Sequence, residues 1–461
     1  MDGDVTAAIA PVLAVLGLDG FVLLAAGVVG GELELLVETT ETVTGCPTCG
    51  MVATAHGRRE HLVRDVPLGG VPVAVMWAKR VWRCGDSVCP KKTWSERHAA
   101  IAPRASLTER AADWILDQVG RAGRTVAAVR RELAVGGWHT IMRRVHWLGA
   151  PLVDDEARLA GVTGLGVDET VVLHAGAYPL SDPDAPAPSA GAVRRRSWAP
   201  QLVTGVVDTS VGRPPRLLDV LPGRTAAALT GWLNRREADW RNGVRVASLD
   251  PYRGYATALR TALPSATRVL DAFHVVRLAL TALDEVRRRV QQEQTGHRGH
   301  THDPLYRARR VLRRRVDRLT PANRDRIEQA LAAADPDGEI WAAWIVAQQV
   351  MAIYPAPTAQ TGRARAEQAI QTALDCPVGE VARLGRTLHA WRDELLAYFT
   401  TGGASNGPVE ALNLLIEKTR RDAHGFRNLA NYRLRLLLTH GGLWHTHPEP
   451  RIRTRHPRFV A

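Results

Sequence analysis

The sequence predicts a multidomain protein of the α/β class, in which a mixed sheet follows a cysteine-containing module and a group of short helices. Three observations support this prediction. Four of the five cysteines form two close pairs, residues 161–275 alternate short apolar runs with helical patterns, and residues 276–400 carry helical patterns alone. A chain of 461 residues is also too long for one compact core and fits two or three domains.

The composition is that of a globular protein, because 45% of the residues are hydrophobic and 23% are charged. This excludes a disordered or fibrous chain. Sixty Lys and Arg residues against 47 Asp and Glu leave a net charge of +13, which favours a polyanionic partner such as nucleic acid. Arg supplies 56 of the 60 basic residues, which fits phosphate recognition and fits codon bias in a GC-rich genome equally well.

Residues 5–31 are almost wholly apolar or small, yet they do not predict a membrane anchor. Asp19 divides them into stretches of fourteen and twelve residues, shorter than the roughly 18 to 20 that a bilayer span needs. Asp2 and Asp4 come before them where a signal peptide would carry basic residues. We therefore expect a buried strand or helix in a cytoplasmic protein that has no membrane partner.

The cysteine pairs predict one structural Zn²⁺ ion in residues 1–100. Cys46 and Cys49 form a C-x2-C turn, and Cys84 and Cys89 form a C-x4-C turn 34 residues later. Four thiolates on two short turns suit tetrahedral zinc, and they leave no place for a nearby histidine in the ligand shell. A set of reduced structural thiols is the alternative.

Residues 101–150 predict three short helices. Ser106-Leu-Thr-Glu109 has the spacing of a capping box, and apolar residues then recur at helical intervals. A third helix from Trp138 to Leu148 carries Arg143 and Arg144, which are candidates for contacts with DNA. The pattern fits a helix-turn-helix domain, and it fits an ordinary three-helix bundle as well.

The pattern of residues 151–275 predicts the first part of a core built on a mixed α/β sheet. Three strands, a helix over about 225–240 and two further strands alternate with helical segments, and an exposed loop is expected at residues 181–200. Asp168 and Asp250 stand at the predicted ends of two of these strands. Residues 276–400 then predict helices alone, including an Arg-dense segment over 307–318 that is either a phosphate-tracking surface or a solvated helix face.

A helix in residues 401–461 presents a carboxylate near its start. At about 100° per residue, Glu410 and Asn413 share one face, whereas Leu412, Leu415 and Ile416 are expected to anchor the opposite face in a core.

The two ends of this helix carry further signals. Asn406 or Ser405 suits its N-cap, and Lys418, Arg420 and Arg421 begin a basic stretch that continues to the C-terminus and could contact DNA phosphates.

Three acidic residues, Asp168, Asp250 and Glu410, could form an oxygen-only site for Mg²⁺ or Mn²⁺. Two such ions about 4 Å apart can promote in-line attack on a phosphodiester without a nucleophilic side chain. Taken alone, three carboxylates among 47 acidic residues are a weak signal.

Several ordered motifs make the chain resemble the DDE transposases of bacterial insertion sequences, in particular their ISL-three group. The resemblance covers nearly the whole length. It rests on the two cysteine pairs followed by Trp94-Ser-Glu-Arg97, on Gly166-Val-Asp168-Glu169, on Leu249-Asp250-Pro-Tyr-Arg-Gly-Tyr255, on Asp271-Ala-Phe-His274, and on Ser405-Asn-Gly-Pro-Val-Glu410-Ala-Leu-Asn413 with Arg421 and Gly425-Phe426.

The resemblance implies an RNase H-like core that a helical insertion interrupts, with Asp168, Asp250 and Glu410 as the catalytic residues that bind the metal. It implies that the zinc and helix-turn-helix modules bind the terminal inverted repeats of the element. Asp271 and His274 match a family signature and, with Asn413, are expected beside the active site. Glu169 is expected outside it, because adjacent strand residues face opposite ways.

The resemblance therefore predicts a transposase that hydrolyses phosphodiester bonds at the ends of an element in double-stranded DNA. It joins the freed 3′-hydroxyl groups to target DNA with two Mg²⁺ or Mn²⁺ ions per site, and a dimer or larger assembly is expected to hold both ends. A DNA-binding regulator derived from such an enzyme and a nuclease without strand transfer are the alternatives.

Overall fold

The computed structural model describes residues 18–174, 197 and 199–444. The described residues form two compact units. One contains the residues up to Arg158 together with Arg421–Phe426 and those that follow Leu429, and the other contains Leu159–Arg420 and Arg427–Leu429. The predictions for residues 5–17, for most of the 181–200 loop and for the basic tail beyond residue 444 lie outside the described residues.

The first unit contains a five-stranded sheet in the order β1-β2-β4-β3, with β5 paired to β4. The β2–β4 pair is parallel and the others are antiparallel. Trp77, Val37 and Val75 are fully buried in its core. The five strands are β1 (Phe21–Val29), β2 (Glu32–Thr39), β3 (Ala53–Leu68), β4 (Val71–Cys84) and β5 (Thr93–Ser95).

The predicted apolar strand near the N-terminus is present as β1, but the prediction that it is buried is wrong. Apart from Phe21, its residues are partly or fully exposed, and Val28 is 71% exposed. The physical reason is its position at the edge of the sheet, where β2 covers one side only.

Helices α1 (Glu109–Leu116), α2 (Val126–Glu132) and α3 (Trp138–Asp154) match the three predicted helices of the first unit. Thr108 and Thr125 cap the first two through side-chain oxygens. The third helix runs six residues beyond its predicted end, with the buried Val153 anchoring its last turn. The C-terminal helix α15 (Leu429–His440) also lies in this unit.

The second unit contains a mixed sheet in the order β10-β9-β6-β7-β8. The sheet is mixed and five-stranded, as predicted. Its first three strands along the chain pair antiparallel, and β9 and β10 add in parallel on the other side of β6. The strands are β6 (Gly164–Leu173), β7 (Gln201–Asp208), β8 (Arg216–Pro222), β9 (Val246–Leu249) and β10 (Thr267–Leu270).

Helices pack around this sheet in one large hydrophobic core. The helix predicted over 225–240 is two helices, because the chain turns after Asn234 so that the Trp240 indole N–H donates to the Leu159 carbonyl. The helices are α4 (Ala226–Asn234), α5 (Ala238–Gly243), α6 (Arg253–Ala262), α7 (Ala272–Thr295), α8 (Pro304–Ala308), α9 (Pro321–Ala334), α10 (Glu339–Met351), α11 (Ala359–Leu374), α12 (Gly379–Ala390), α13 (Arg392–Leu396) and α14 (Gly407–Asp422).

The Arg-dense segment over 307–318 is not the continuous helix that the sequence predicts. Helix α8 ends at Ala308, and turns lead to a short 3-10 helix at Val316–Arg318. Arg residues three and four positions apart would repel one another on an α-helix, which disfavours that conformation here. None of the helices in the described part of the chain combines the length and apolar character that a bilayer crossing requires.

Candidate active site and zinc module

The register of the second sheet brings two predicted site residues together. Parallel pairing between β6 and β9 ends at Val167 and Leu249, so Asp168 and Asp250 follow side by side. Both are buried, with 5% and 7% of their surface exposed. Asp168 does not stand at a strand end as predicted, because β6 continues to Leu173 while β9 stops.

The electrostatics of this pair are those of two carboxyl groups that cannot both ionise freely. Burial, the negative charge of Asp250 and a hydrogen bond with Asp250 raise the pKa of Asp168 to about 8. Such a site is protonated at neutral pH when it holds no cation, and a divalent cation would relieve the repulsion. The oxygen donors and the excess negative charge therefore fit a hard cation such as Mg²⁺ or Mn²⁺.

Asp250 is also held by a histidine, which a second aspartate contacts in turn. His274 Nε2 lies 3.0 Å from Asp250 Oδ2, and its Nδ1 lies 3.1 Å from Asp271 Oδ2. Burial lowers the pKa of His274, but the hydrogen bonds with the two carboxylates outweigh it and raise this pKa to about 10. The ring is thus an imidazolium that bridges both acids. Asp271 in turn caps α7 by accepting from the His274 backbone N–H.

Asn406 connects the helix that carries Glu410 to the sheet. Its Nδ2 donates to the Val167 carbonyl at 3.1 Å and to Asp250 Oδ1 at 3.2 Å, and its Oδ1 accepts from Ser248 at 2.6 Å. Its backbone N–H donates to Asp271 Oδ1 at 2.9 Å. The side chain that the sequence assigns to a helix cap is therefore fully buried in the acidic site.

Helix α14 lies against β6 at Gly166. A methyl group there would collide with the Val409 side chain and crowd Asn406, so only glycine permits this approach. The packing lets Asn413 Nδ2 donate to Asp168 Oδ2 at 2.6 Å, while Asn413 Oδ1 accepts from Thr170 at 3.0 Å.

Glu410 stands one turn before Asn413 on α14 and belongs electrostatically to the same site. Burial raises its pKa, and Asp250 adds to the rise while the positive charge of His274 opposes it. Its charge in turn contributes to the raised pKa of Asp168. On the opposite face Leu412 and Ile416 are buried as predicted, but Leu415 is 44% exposed.

The distances between metal-ligating atoms show which of the predicted residues lie closest together. Among the described residues, two groups have metal-ligating atoms that all lie within 4.8 Å of one another: the four cysteines, and Asp250 with Asp271 and His274. His274, predicted beside the site, is thus a direct partner of Asp250, and Asp271 lies in the same group, which contains neither Asp168 nor Glu410. Glu169 points elsewhere and pairs with Arg224 at 3.1 Å.

In the first unit, the four grouped cysteines converge as predicted. Cys46 Sγ lies 3.8 Å from Cys89 Sγ, and Cys49 Sγ lies 3.5 Å from Cys84 Sγ. A tetrahedron with zinc–sulfur bonds of about 2.3 Å has edges of about 3.8 Å, so these separations fit one Zn²⁺.

The first cysteine turn favours the thiolate form of Cys46. Burial raises the pKa of Cys46, but hydrogen bonds from the backbone N–H groups of Cys49 and Thr48 outweigh it and lower this pKa to about 6. Gly50 closes the turn with a φ of +74°, a conformation that other residues rarely adopt.

The residues predicted to contact DNA differ in their availability. Arg143 is exposed and Arg144 partly exposed on α3, and Trp147 one turn later is 74% exposed. On α14, Lys418 and Arg421 are exposed, whereas Arg420 forms an ion pair with Glu417 at 2.7 Å within the same helix.

Comparison with known proteins relates both regions to one family. The profile of the ISL3 (ISL-three) DDE transposases, described as "Transposase", matches residues 192–436, more than half of the chain. It includes Asp250 and Glu410, and Asp168 lies before it. A second profile, described as "zinc-finger of transposase IS204/IS1001/IS1096/IS1165", matches residues 42–89, which contain all four cysteines.

More distant comparisons add little. No curated protein matches the sequence. A solved structure, the Drosophila P element transposase strand transfer complex, is similar over 72% of this chain and 91% of that one, with 11% identity and a TM-score of 0.36, which is too remote to support an argument. The two profiles carry the conclusion: the chain belongs to the ISL3 family of transposases.

Proposed function

We propose that the second unit is an RNase H-like catalytic core whose residues Asp168, Asp250 and Glu410 bind two divalent cations, Mg²⁺ or Mn²⁺. Family membership makes the chain a DNA transposase of an insertion sequence. The proposal adds that this site hydrolyses the phosphodiester at the element ends and joins the freed 3′-hydroxyl to target DNA. Bound cations would supply activation of the attacking oxygen and charge stabilisation of the leaving one.

The observation that carries this proposal is the pair of Asp168 and Asp250, in which burial and the negative charge of Asp250 raise the pKa of Asp168 to about 8. Carboxyl groups that are held together despite such a rise in pKa are typical of functional sites. Glu410, one turn before Asn413 on α14, would add a third set of oxygen ligands.

The other residues of the site orient these acids. Asn413 holds one oxygen of Asp168, and Asn406 and His274 each hold one oxygen of Asp250. Each carboxylate oxygen has two lone pairs, so one remains for a cation after these bonds are made. Fixed ligands of this kind favour in-line geometry at the reacting phosphorus.

We assign DNA binding to the rest of the chain. Residues 1–100 form the zinc module and residues 101–150 a helix-turn-helix domain, with Arg143 and Arg144 facing the terminal inverted repeats. The core is divided into residues 151–275 and 401–461 by the helical insertion at 276–400. Lys418, Arg420 and Arg421 contact the DNA backbone, and two protomers hold the two ends.

Strand transfer of a labelled element end into plasmid DNA tests the catalytic assignment. Asp168→Asn should lower cleavage and joining by roughly 10³-fold, since metal catalysis supplies several kcal/mol and about 1.4 kcal/mol is tenfold. The control is Glu169→Gln, next in sequence but paired with Arg224, which should stay within a few fold of wild type.

Both variants should bind the element ends as the wild type does. Joining by Asp168→Asn at the wild-type rate would overturn the assignment. Nicks without joined product from the wild type would restrict the site to a nuclease, and binding without cleavage would indicate a regulator.

A further inference from the structure

A cavity of about 690 Å³ opens beside the zinc module of the first unit. Its wall includes Pro47 and Thr48 from the first cysteine turn, Lys91 from the second, Lys79 from β4, and Trp94 and Ser95 from β5. Sites for small molecules typically measure roughly 300 to 1,000 Å³, so a ligand with one or two rings fits.

Three basic side chains line the cavity. They are Lys79, Lys91 and Arg97, and none of them forms an ion pair within 4.0 Å in the described part of the chain. Lys79 also lies over the Trp77 ring, 4.6 Å from its centroid, and burial lowers its pKa. The whole protein has only four Lys residues, and three of them lie between positions 79 and 92.

Two acidic residues also line the cavity, but they do not cancel this charge. Glu96 shares its charge with the Arg80 guanidinium, which lies outside the wall and 4.0 Å away, and it also accepts from the Trp77 indole at 3.0 Å and the Thr39 hydroxyl at 2.7 Å. Glu41 is exposed to solvent. The three basic side chains of the wall therefore outnumber its one remaining acid, and this charge favours an anionic ligand.

The same wall offers aromatic surface. Trp82 on β4 and Trp94 on β5 are cross-strand partners, and both line the cavity. Trp82 is buried, whereas Trp94 is partly exposed and packs against the cysteine cluster. Indole rings beside basic side chains are the combination that binds nucleotides, through stacking and phosphate contacts.

The cysteine turns fix the position of these groups. The Lys91 backbone N–H hydrogen-bonds the Cys89 thiol, and Cys84 N–H donates to the Lys92 carbonyl at 3.0 Å. The cavity wall is thus formed in part by the turns that the zinc ion would hold.

We propose that this cavity holds one nucleotide of a DNA strand, with its phosphate at Lys79, Lys91 and Arg97 and its base or sugar against Trp94. The inference rests on the proposed function, in which the zinc module binds the element ends. It adds where in that module a strand is bound and which side chains hold it.

Binding of a fluorescent duplex that carries the terminal inverted repeat, measured over a series of salt concentrations, tests the phosphate contacts. The double variant Lys91→Gln, Arg97→Gln should bind roughly tenfold more weakly, and the magnitude of the slope of log K against log salt should fall by about one, because the basic side chains share a single phosphate. The control is Lys92→Gln, whose side chain donates to the Ser87 carbonyl outside the cavity and which should behave as wild type.

Trp94 is tested separately, because its contact is not ionic. Trp94→Leu should weaken binding by roughly 5- to 100-fold at every salt concentration, without change in the slope. Zinc content, measured by mass spectrometry, must equal that of the wild type, so that loss of the module is not mistaken for loss of the contact. A strand with 5-iodouracil at the bound position should photocrosslink to the peptide containing Trp94.

Two results would overturn the cavity assignment while the proposed function stands. The first is wild-type affinity and wild-type salt slope in the double variant. The second is that Lys91 and Arg97 are needed to bind a free deoxynucleoside monophosphate but not to bind DNA. Absence of end binding by the wild type would overturn both proposals.

Discussion

The zinc module and the acidic site both gather metal-ligating side chains, but they do so over different distances in sequence. The cysteines come in two pairs, each within one short turn, and one turn follows the other after 34 residues. Asp168, Asp250 and Glu410 come from β6, from the residue after β9 and from α14. The first site is fixed by local turns and by its metal, whereas the second is fixed by sheet register and helix packing. Removing metal should therefore affect them differently.

Loss of zinc should have the largest effect. Cys49→Ser should release the ion and unfold the module, because structural zinc contributes about 10 to 16 kcal/mol of apparent binding free energy that is also folding free energy. Zinc content and hydrogen exchange of residues 42–89 measure this. Cys376→Ser, outside the cluster, is the control. Full zinc occupancy in Cys49→Ser would contradict the assignment.

The acidic site should instead fail when its packing changes. Gly166→Ala should force α14 away from β6, destabilise the protein by about 1 to 3 kcal/mol and abolish strand transfer. Gly205→Ala is the matched control, since Gly205 is the β7 partner of Asp168 and a methyl there meets its nearest atoms at 3.9 Å. Equal thermal melting and equal activity in the two variants would contradict the packing account.

Loss of a single orienting side chain should have a smaller effect. Asn406→Ala removes the bonds to Asp250, Ser248 and the Val167 carbonyl, and it should lower metal affinity or cleavage by roughly 10- to 100-fold. Ser405→Ala loses only a bond to the Gly407 N–H and should cleave as wild type does. Titration with Mn²⁺ distinguishes weaker metal binding from slower chemistry.

The pH dependence of stability without divalent metal tests the electrostatics of the acidic site. The pKa of Asp168 is raised from 3.8 in the unfolded chain to about 8, so its stabilising contribution is complete below about pH 4 and is lost as the pH rises to 8. The melting temperature should therefore fall more over this range in the wild type than in Asp168→Asn. Parallel curves for the two proteins would contradict the raised pKa.

The sequence predicted the parts of the molecule that local patterns determine. The spacing of the cysteines alone predicted that four thiols converge, and they do so in the structure. The alternation of apolar runs and helical patterns predicted three antiparallel strands followed by two more, and the sheet has this arrangement. The burial of β1 was mispredicted, because apolar composition does not show that a strand lies at a sheet edge.

Contacts between residues far apart in the sequence were harder to predict. An asparagine before a helix predicts a cap, and nothing local indicates that Asn406 crosses to Asp250, 156 positions away. The Asp271–His274 spacing was recognised through the family resemblance alone. That His274 bridges two acids depends on the parallel pairing of β9 with β10, which places Asp250 and Asp271 at the ends of neighbouring strands.

A change of ligand atom is the sharpest test of the proposed metal binding by Asp168, Asp250 and Glu410. Thiolate ligands favour softer ions than Mg²⁺, so Asp250→Cys should be inactive in strand transfer with Mg²⁺ and regain activity with Mn²⁺. Glu169→Cys should show no such change of metal preference. Wild-type activity of Asp250→Cys in Mg²⁺ would contradict this assignment. So would a lack of rescue of Asp250→Cys by Mn²⁺ together with an active Asp250→Asn variant.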